Sequence, residues 1–123
     1  LYVGVVLHDA EPGAILSAGS RRDTPLDDSD AFLVVLDTFH DHQNGFVFGT
    51  NPAGIEYDGQ VSNEGLGSSG MGFGQQSGSG AGFNLNWDGS WTVRTHVGDF
   101  GWSAELAIPF RTLRYGGSGK QLW

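Results

Sequence analysis

Two short segments near the C-terminus, 91–97 (WTVRTHV) and 102–108 (WSAELAI), constrain the fold more strongly than any other part of the chain. Polar and apolar residues alternate in both, as expected for strands with one buried face, and a Gly-Asp-Phe-Gly loop joins them. Placing Val97 opposite Trp102 makes one face nearly all apolar. The pairs on that face are Val97–Trp102, Thr95–Ala104, Val93–Leu106 and Trp91–Ile108. A shift of one residue would mix the two faces, so the pattern predicts an antiparallel hairpin in this register.

The opposite face of this hairpin is mostly polar, and we expect it to face solvent. Its pairs are His96–Ser103, Arg94–Glu105 and Thr92–Ala107. Opposite charges directly across from each other stabilise a sheet by roughly 0.2–1 kcal/mol. The register therefore predicts a surface ion pair between Arg94 and Glu105.

Four further segments have the composition of strands: 1–8, 31–37, 45–50 and 54–61. Segment 31–37 (AFLVVLD) is apolar nearly throughout, which is typical of a strand buried on both faces. Helical signals are weak and limited to one turn within 11–22 and a short turn that begins at Pro109. A parallel α/β fold is excluded because it needs crossover helices. The sequence predicts an all-β fold, an antiparallel β-sandwich of jelly-roll or immunoglobulin-like type, with little helix.

The domain organisation follows from the length and from the two ends of the chain. A chain of 123 residues fits one domain, so we expect residues 1–123 to form a single β-sandwich. Both ends have strand-like composition, and we therefore expect a fragment that lacks flanking strands. Residues 65–82 are rich in Gly and Ser, and they predict a flexible loop between strands.

Charge and composition exclude some classes of function. The formal net charge is −8, with six basic against fourteen acidic residues, so the basic footprint of a nucleic-acid binder is missing. Such acidity suits cation binding or a neutral ligand such as a sugar. The sequence has no cysteine, which excludes disulfides and thiolate metal sites. Its apolar runs fall short of the ~20 residues that a membrane-spanning helix needs, so we expect no direct membrane insertion of this segment.

Four motifs, in order along the chain, carry a resemblance to a known family. They are LYVGVVLHDAEP, DDSDAFLVVLDTFHDHQNGFVFGTNPAGIEYDG, FNLNWDGSWTVRTHVGDFGW and GWSAELAIPFRTLRY. Together they resemble carbohydrate-binding module family 9-like domains, in particular those at the N-terminus of large bacterial outer-membrane β-barrel proteins. The resemblance implies a β-sandwich, non-catalytic carbohydrate binding and a location in the bacterial cell envelope or outside the cell. It also implies a chain that continues into a β-barrel, and a structural calcium ion, which some relatives hold.

A carbohydrate site requires an aromatic platform beside planar polar groups that hydrogen-bond hydroxyls. Trp87 lies in a polar turn region, so it is the better candidate for an exposed ring. The hairpin register turns Trp91 inward, which favours a core position for it. The candidate carbohydrate-binding residues are Trp87, Trp91, Asn84, Asn86, Arg94 and Glu105.

The segment LDTFHDHQNGFVFG (36–49) raises the question of a metal site. Asp37, His40, Asp41 and His42 offer metal ligands, but Asn44-Gly45 is a strong hairpin signal and favours a solvated polar tip. For calcium, the candidates are the carboxylates Asp27, Asp28, Asp30, Asp37 and Asp41. These lie at opposite ends of one predicted strand, so they cannot all share one ion. Capping of turns by aspartate is the alternative that needs no metal.

Other functions have less support from the sequence. No feature selects a pair of carboxylates for glycosidase chemistry, and we expect a protein that is not an enzyme. A structural subunit that assembles by strand exchange through incomplete sheet edges is the alternative to carbohydrate binding. A b-type haem is a remote alternative, since related sandwiches hold haem on Met and His. Its candidate ligands are Met71, His8, His40, His42 and His96.

Overall fold

The computed structural model describes residues 1–62, 82–117 and 119–123. The strands are β1 (Tyr2–His8), β2 (Phe32–Leu36), β3 (Gly45–Thr50), β4 (Tyr57–Val61), β5 (Phe83–Asn84), β6 (Thr92–Gly98) and β7 (Gly101–Ala107). In this part of the chain, helical structure is confined to single 3-10 turns at Pro12–Ala14 and Phe110–Thr112. The predicted flexible loop, residues 65–82, lies outside the described residues except for Gly82.

The strands form two antiparallel sheets. One has the order β1-β7-β6 and the other the order β2-β3-β4-β5. The main core lies where apolar side chains of both sheets meet, among them Phe46 and Phe48 from β3 and Trp102 and Leu106 from β7. The predicted all-β antiparallel sandwich with little helix is confirmed.

The C-terminal hairpin has the predicted register. Val97 pairs with Trp102, Thr95 with Ala104 and Val93 with Leu106. Trp102, Ala104 and Leu106 are buried, because β7 is the central strand of its sheet. Val97 is the exception on this face and is about half exposed, beside the loop that closes the hairpin. Period-two alternation was thus sufficient to fix both the register and the buried face.

The prediction that segment 31–37 is buried on both faces is wrong. This segment forms β2, which is an edge strand of the four-stranded sheet, and Val35 is 54% exposed. The fully buried strand is β3, whose second face packs beneath a smaller cluster formed by Leu26, Ile55 and Tyr57. An apolar sequence shows that a strand tolerates burial, but its place in the sheet decides how much of it is covered.

Strand β4 begins at Tyr57, three residues later than predicted from the sequence, because Asn51 organises a longer turn. The Asn51 side chain is buried, and its Oδ1 accepts the N–H of Ala53 at 3.0 Å. Gly54 has a φ of +75°, which is unfavourable for other residues, and its N–H donates to the Asn51 carbonyl at 2.9 Å. These bonds hold residues 51–56 outside the sheet.

A network of charged residues joins the loop before β2 to β4 and to the turn after β5. The Asp58 side chain is 0% exposed, and its Oδ1 accepts from Arg22 Nη2 at 2.5 Å. The second Asp58 oxygen accepts the Gly89 N–H at 2.6 Å. Arg22 also contacts Glu56 and Asp88, each at 2.6 Å. Burial lowers the pKa of Arg22, but the attraction of these carboxylates outweighs it, and the pKa is raised above its ordinary value.

Candidate functional site

The outer face of the three-stranded sheet carries an open groove of about 360 Å³. We call it the outer groove, and its outward-facing residues are Gly4, Val6, Arg94, His96, Ser103 and Glu105. Strand pairing arranges these residues in two rows. Gly4, Glu105 and Arg94 form one row, and Val6, Ser103 and His96 form the next. Each row crosses three strands and therefore spans about 10 Å.

Gly4 leaves space at one end of the first row. A Cβ atom added at Gly4 would have no heavy atom within 4 Å, and Gly4 does not have a positive φ. Neither crowding nor backbone strain therefore requires a glycine there. What the glycine does is keep the surface beside Glu105 open, so that the carboxylate is accessible from the β1 side.

The predicted ion pair between Arg94 and Glu105 is absent, although the two residues are direct neighbours across the strands. In the described part of the chain, ion pairs are formed by Arg22 and His42, and the side chains of Arg94 and Glu105 take part in none of them. Both side chains are exposed. The two charged groups are therefore available to a ligand rather than committed to each other.

Exposed apolar side chains border the outer groove along β1. Tyr2 is 86% exposed and Val6 is 58% exposed, and both lie on the same face of β1 as Gly4. On the far side, the His96 ring lies 6.2 Å from the ring of Phe100. The arrangement places an accessible aromatic ring at one end of a surface that carries a guanidinium, a carboxylate, a hydroxyl and an imidazole.

The structure divides the six carbohydrate-binding candidates into two groups. Arg94 and Glu105 lie in the outer groove, whereas the others belong to the opposite sheet or to the core. Asn84 is in β5, and its Oδ1 accepts the N–H of Asn86 at 3.1 Å in a local turn. The expectation that all of these polar residues share one face with Trp87 is therefore wrong.

Trp87 and Trp91 are core residues rather than an exposed platform. The Trp87 ring is partly buried, with its centroid 4.8 Å from that of Phe46, which corrects the expectation of an exposed ring. Trp91 is 4% exposed and packs edge-on against Phe48, as its place in the hairpin pattern predicts. Its Nε1 is buried and has no hydrogen-bond partner among the described residues.

The acidic and histidine-rich segment after β2 is a polar hairpin tip. The Asp37 carboxylate accepts the N–H of His42 at 2.8 Å and that of Asp41 at 3.2 Å. The Asp41 carboxylate accepts the backbone N–H groups of Gln43 and Asn44, both at 2.8 Å, and the Asn44 side-chain amide at 2.7 Å. The aspartates therefore serve as turn caps, which is the alternative that requires no metal.

These hydrogen bonds make the hairpin tip sensitive to pH. The His42 N–H lowers the pKa of Asp37, and the Asn44 side-chain amide lowers that of Asp41. A carboxyl whose pKa is lower in the folded state stabilises the fold above its unfolded pKa of about 4, and this contribution is lost as the pH falls through the folded pKa. We expect the Asp37→Asn/Asp41→Asn variant to have a lower urea midpoint than the wild type near neutral pH.

The difference in urea midpoint between the two proteins should shrink as the pH falls below about 4, and it should vanish once the pH is below the lowered pKa of both carboxyls, which are then neutral in the folded wild type as well. Urea denaturation at a series of pH values measures it. Asp27→Asn/Asp28→Asn is the matched control, because it also removes two acids from a loop beside β2 but lies outside these turns. A difference in urea midpoint that stays constant with pH would contradict the assignment of Asp37 and Asp41 as ionised turn caps.

The remaining calcium candidates lie at the other end of β2. Asp27 and Asp28 are exposed, and Asp30 Oδ2 accepts the Leu16 N–H at 2.6 Å, which holds the loop after β1 in place. Within the residues that the structure describes, no group of three or more His, Asp or Glu side chains is arranged to hold a metal ion. Calcium binding stays a prediction that rests on the family resemblance.

The histidines proposed as haem ligands lie in two places. The His40 and His42 rings lie side by side at the hairpin tip, with centroids 5.1 Å apart. The His8 and His96 rings each lie 6.2 Å from Phe100 at the end of the other sheet. Met71 lies outside the described residues. Haem binding also stays a prediction, to be checked by an absorption spectrum of the purified protein.

The sequence analysis missed the contribution of β1 to the outer groove. Residues 1–8 are apolar on both faces apart from His8, so their alternation does not show which face is outward. The pairing of β1 with β7 determines which face of β1 is outward. The sheet order must therefore be known before Tyr2, Gly4 and Val6 can be identified as residues of the site.

Comparisons with known proteins identify no relative. No family model matches the chain, and the searches of curated proteins and of solved structures give no significant match. The resemblance to family 9-like carbohydrate-binding modules thus rests on the sequence motifs alone. In the described residues, no helix combines the length and the apolar character that crossing a bilayer requires.

Proposed function

We propose that the protein binds a neutral oligosaccharide in the outer groove, without catalysis. The observation that carries the proposal is the pair formed by Arg94 and Glu105, whose side chains are adjacent and exposed but form no ion pair with each other. A guanidinium offers several donors in one plane and a carboxylate offers acceptors only, so together they hydrogen-bond a pair of sugar hydroxyls from both sides. Tyr2, at the end of the face, supplies a ring for the apolar face of a sugar.

The net charge supports a neutral ligand. At −8, the protein as a whole repels polyanionic glycans, and the single arginine of the outer groove is accompanied by a carboxylate. The family resemblance supports carbohydrate as the ligand class and the bacterial cell envelope, or the outside of the cell, as the location.

The composition of the groove supports binding rather than hydrolysis. Glu105 is the one carboxylate among the residues that line the groove in the described part of the chain. A glycosidase of the usual kind needs two carboxylates on either side of the scissile bond. We therefore infer a binding module.

Replacing Arg94 tests the proposal. We expect Arg94→Ala to weaken binding about ten- to a hundredfold, because a hydrogen bond from a charged group contributes roughly 1.5–3 kcal/mol. The probes are cellohexaose, xylohexaose and mannohexaose, titrated by calorimetry against the wild-type protein. Sulfated dextran serves as the polyanionic comparison and should bind more weakly than the neutral probe that binds best.

The matched control is Arg21→Ala. Arg21 is also exposed but lies in the loop before β2, outside the groove. Arg21→Ala should leave the affinity for the oligosaccharide unchanged, whereas Glu105→Gln should lower that affinity. If Arg94→Ala and Glu105→Gln leave binding intact, the site does not lie in the outer groove. If the wild-type protein binds none of the probes, the proposal of a carbohydrate ligand is contradicted.

A further inference from the structure

The first strand has one unpaired edge. Within residues 1–62, 82–117 and 119–123, β1 pairs with β7 alone and lies at the edge of its sheet. Its seven residues make it one of the longest strands, and the sequence from Leu1 to Leu7 contains no charged residue and no proline. Lysine, proline and bulges are the devices that normally prevent an edge strand from pairing with another chain. This edge has none of them.

The hydrogen bonds to β7 show which backbone groups of β1 are free. The Leu1 backbone nitrogen donates to the Ile108 carbonyl, and the Ile108 N–H donates to the Leu1 carbonyl, both at 2.9 Å. Residues of an antiparallel strand alternate between bonding one neighbour and bonding the other. With Leu1 bonded towards β7, the backbone groups of Tyr2, Gly4 and Val6 point away from it and towards the open edge.

The side chains on this edge are complementary to a second copy of themselves. When two β1 strands run antiparallel with Gly4 opposite Gly4, Tyr2 of each copy lies opposite Val6 of the other. Aromatic and β-branched residues are favourable cross-strand partners. On the inner face, Val3 then meets Val5 and Leu1 meets Leu7, so every position from Leu1 to Leu7 has an uncharged partner.

We propose that two copies of the protein associate through β1 in this register. The pairs Tyr2–Val6, Gly4–Gly4 and Val6–Tyr2 exchange about six backbone hydrogen bonds in the arrangement of an antiparallel ladder. The two three-stranded sheets then form one continuous sheet, and the contact is isologous, as in most homodimers. The inference does not depend on the identity of any ligand.

A single cysteine tests the register directly, because the chain has no cysteine of its own. In the proposed pairing the two Gly4 Cα atoms are about 5.5 Å apart, within the range that a disulfide spans. The site accepts a side chain without strain. We expect Gly4→Cys to form a disulfide-linked dimer in mild oxidant, as seen on non-reducing gels.

Val6→Cys is the control for this experiment. In the proposed register the two Val6 Cα atoms are about 14 Å apart, too far for a disulfide without rearrangement. Cross-linking at Gly4 but not at Val6 supports the proposal. Equal cross-linking at both positions, or at neither, would overturn it.

Sedimentation equilibrium gives a second test that requires no cross-link. We expect the wild type to dimerise and Val6→Lys to weaken the dimer at least tenfold, since the lysine brings a charge opposite Tyr2 of the other copy. Val35→Lys is matched to it, because Val35 is 54% exposed on β2, the edge strand of the other sheet. A monomeric wild type, or a dimer that only Val35→Lys disrupts, would contradict the β1 interface.

Discussion

Replacing Arg22 with methionine should destabilise the protein by about 3–5 kcal/mol, the usual cost of leaving one member of a buried ion pair without its partner. Methionine preserves much of the length of the side chain but cannot donate to Asp58. Asp58 would then remain fully buried with the Gly89 N–H as its remaining donor among the bonds described. A loss of this size is a large part of the 5–15 kcal/mol that stabilises a typical domain. Guanidinium denaturation measures it.

Two further variants separate the ion pair from other effects. Arg21→Met removes a neighbouring arginine that is exposed, so it should change the unfolding free energy by less than about 0.5 kcal/mol. Arg22→Met/Asp58→Asn should recover much of the loss, because a neutral amide is easier to bury than a carboxylate and its oxygen still accepts from Gly89. If the double variant is no more stable than Arg22→Met, the loss does not come from the buried charge.

Phe48→Ala should destabilise the protein by about 3–5 kcal/mol through the cavity that it leaves between the sheets. Phe48 is 0% exposed in the centre of β3, and its ring contacts the rings of Trp87 and Trp91 at centroid distances of 6.0 and 5.3 Å. Because these rings hold the turn after β5 against the core, truncation removes packing on both sides of the sandwich. Thermal and chemical denaturation measure the effect, and tryptophan fluorescence should report the change around the two indoles.

The same substitution at Phe110 is the control. Phe110 is 53% exposed in the turn after β7. Phe110→Ala therefore removes the same atoms from a side chain that is already about half exposed to solvent. It should cost less than about 1.5 kcal/mol, in proportion to the smaller area that it buries. Similar losses from the two variants would show that Phe48 is not part of the tightly packed core.

The sequence was most informative where one local pattern decides the structure. The register of the β6–β7 hairpin was predicted correctly because its alternation is unambiguous and its loop is short, although each strand lies one residue closer to the loop than predicted. The polar tip around Asp41 was also predicted, although the chain turns at His40 and His42, which have positive φ angles, and Gly45 is already the first residue of β3. Both features depend on contacts between residues that are close in the chain, which is where sequence patterns carry the most information.

The features that escaped prediction depend on residues far apart in the chain. Arg22 lies in a loop and Asp58 in a predicted strand 36 positions away, and the residues around each of them do not indicate the other as a partner. Trp87 has polar neighbours that suggest exposure, yet contacts with β3 cover much of its ring. Two of the six outward-facing residues of the outer groove come from β1, whose outward face depends on its pairing with β7. Such contacts are set by the sheet order, which local periodicity does not specify.

The connection between the two ends of the chain has a consequence for synthesis on the ribosome. Strands β2, β3 and β4 pair with their neighbours in sequence, so this sheet can begin to form while the chain is still growing. Of the seven described strands, β1 is synthesised before the others but can pair only after β7 is made, and the bonds between Leu1 and Ile108 close a loop of 107 positions. Contacts between such distant positions form slowly, because the chain entropy must be lost before any contact compensates for it. Until β7 is synthesised, β1 therefore remains an apolar strand without the neighbour that it has in the described fold, which is the state that holdase chaperones recognise.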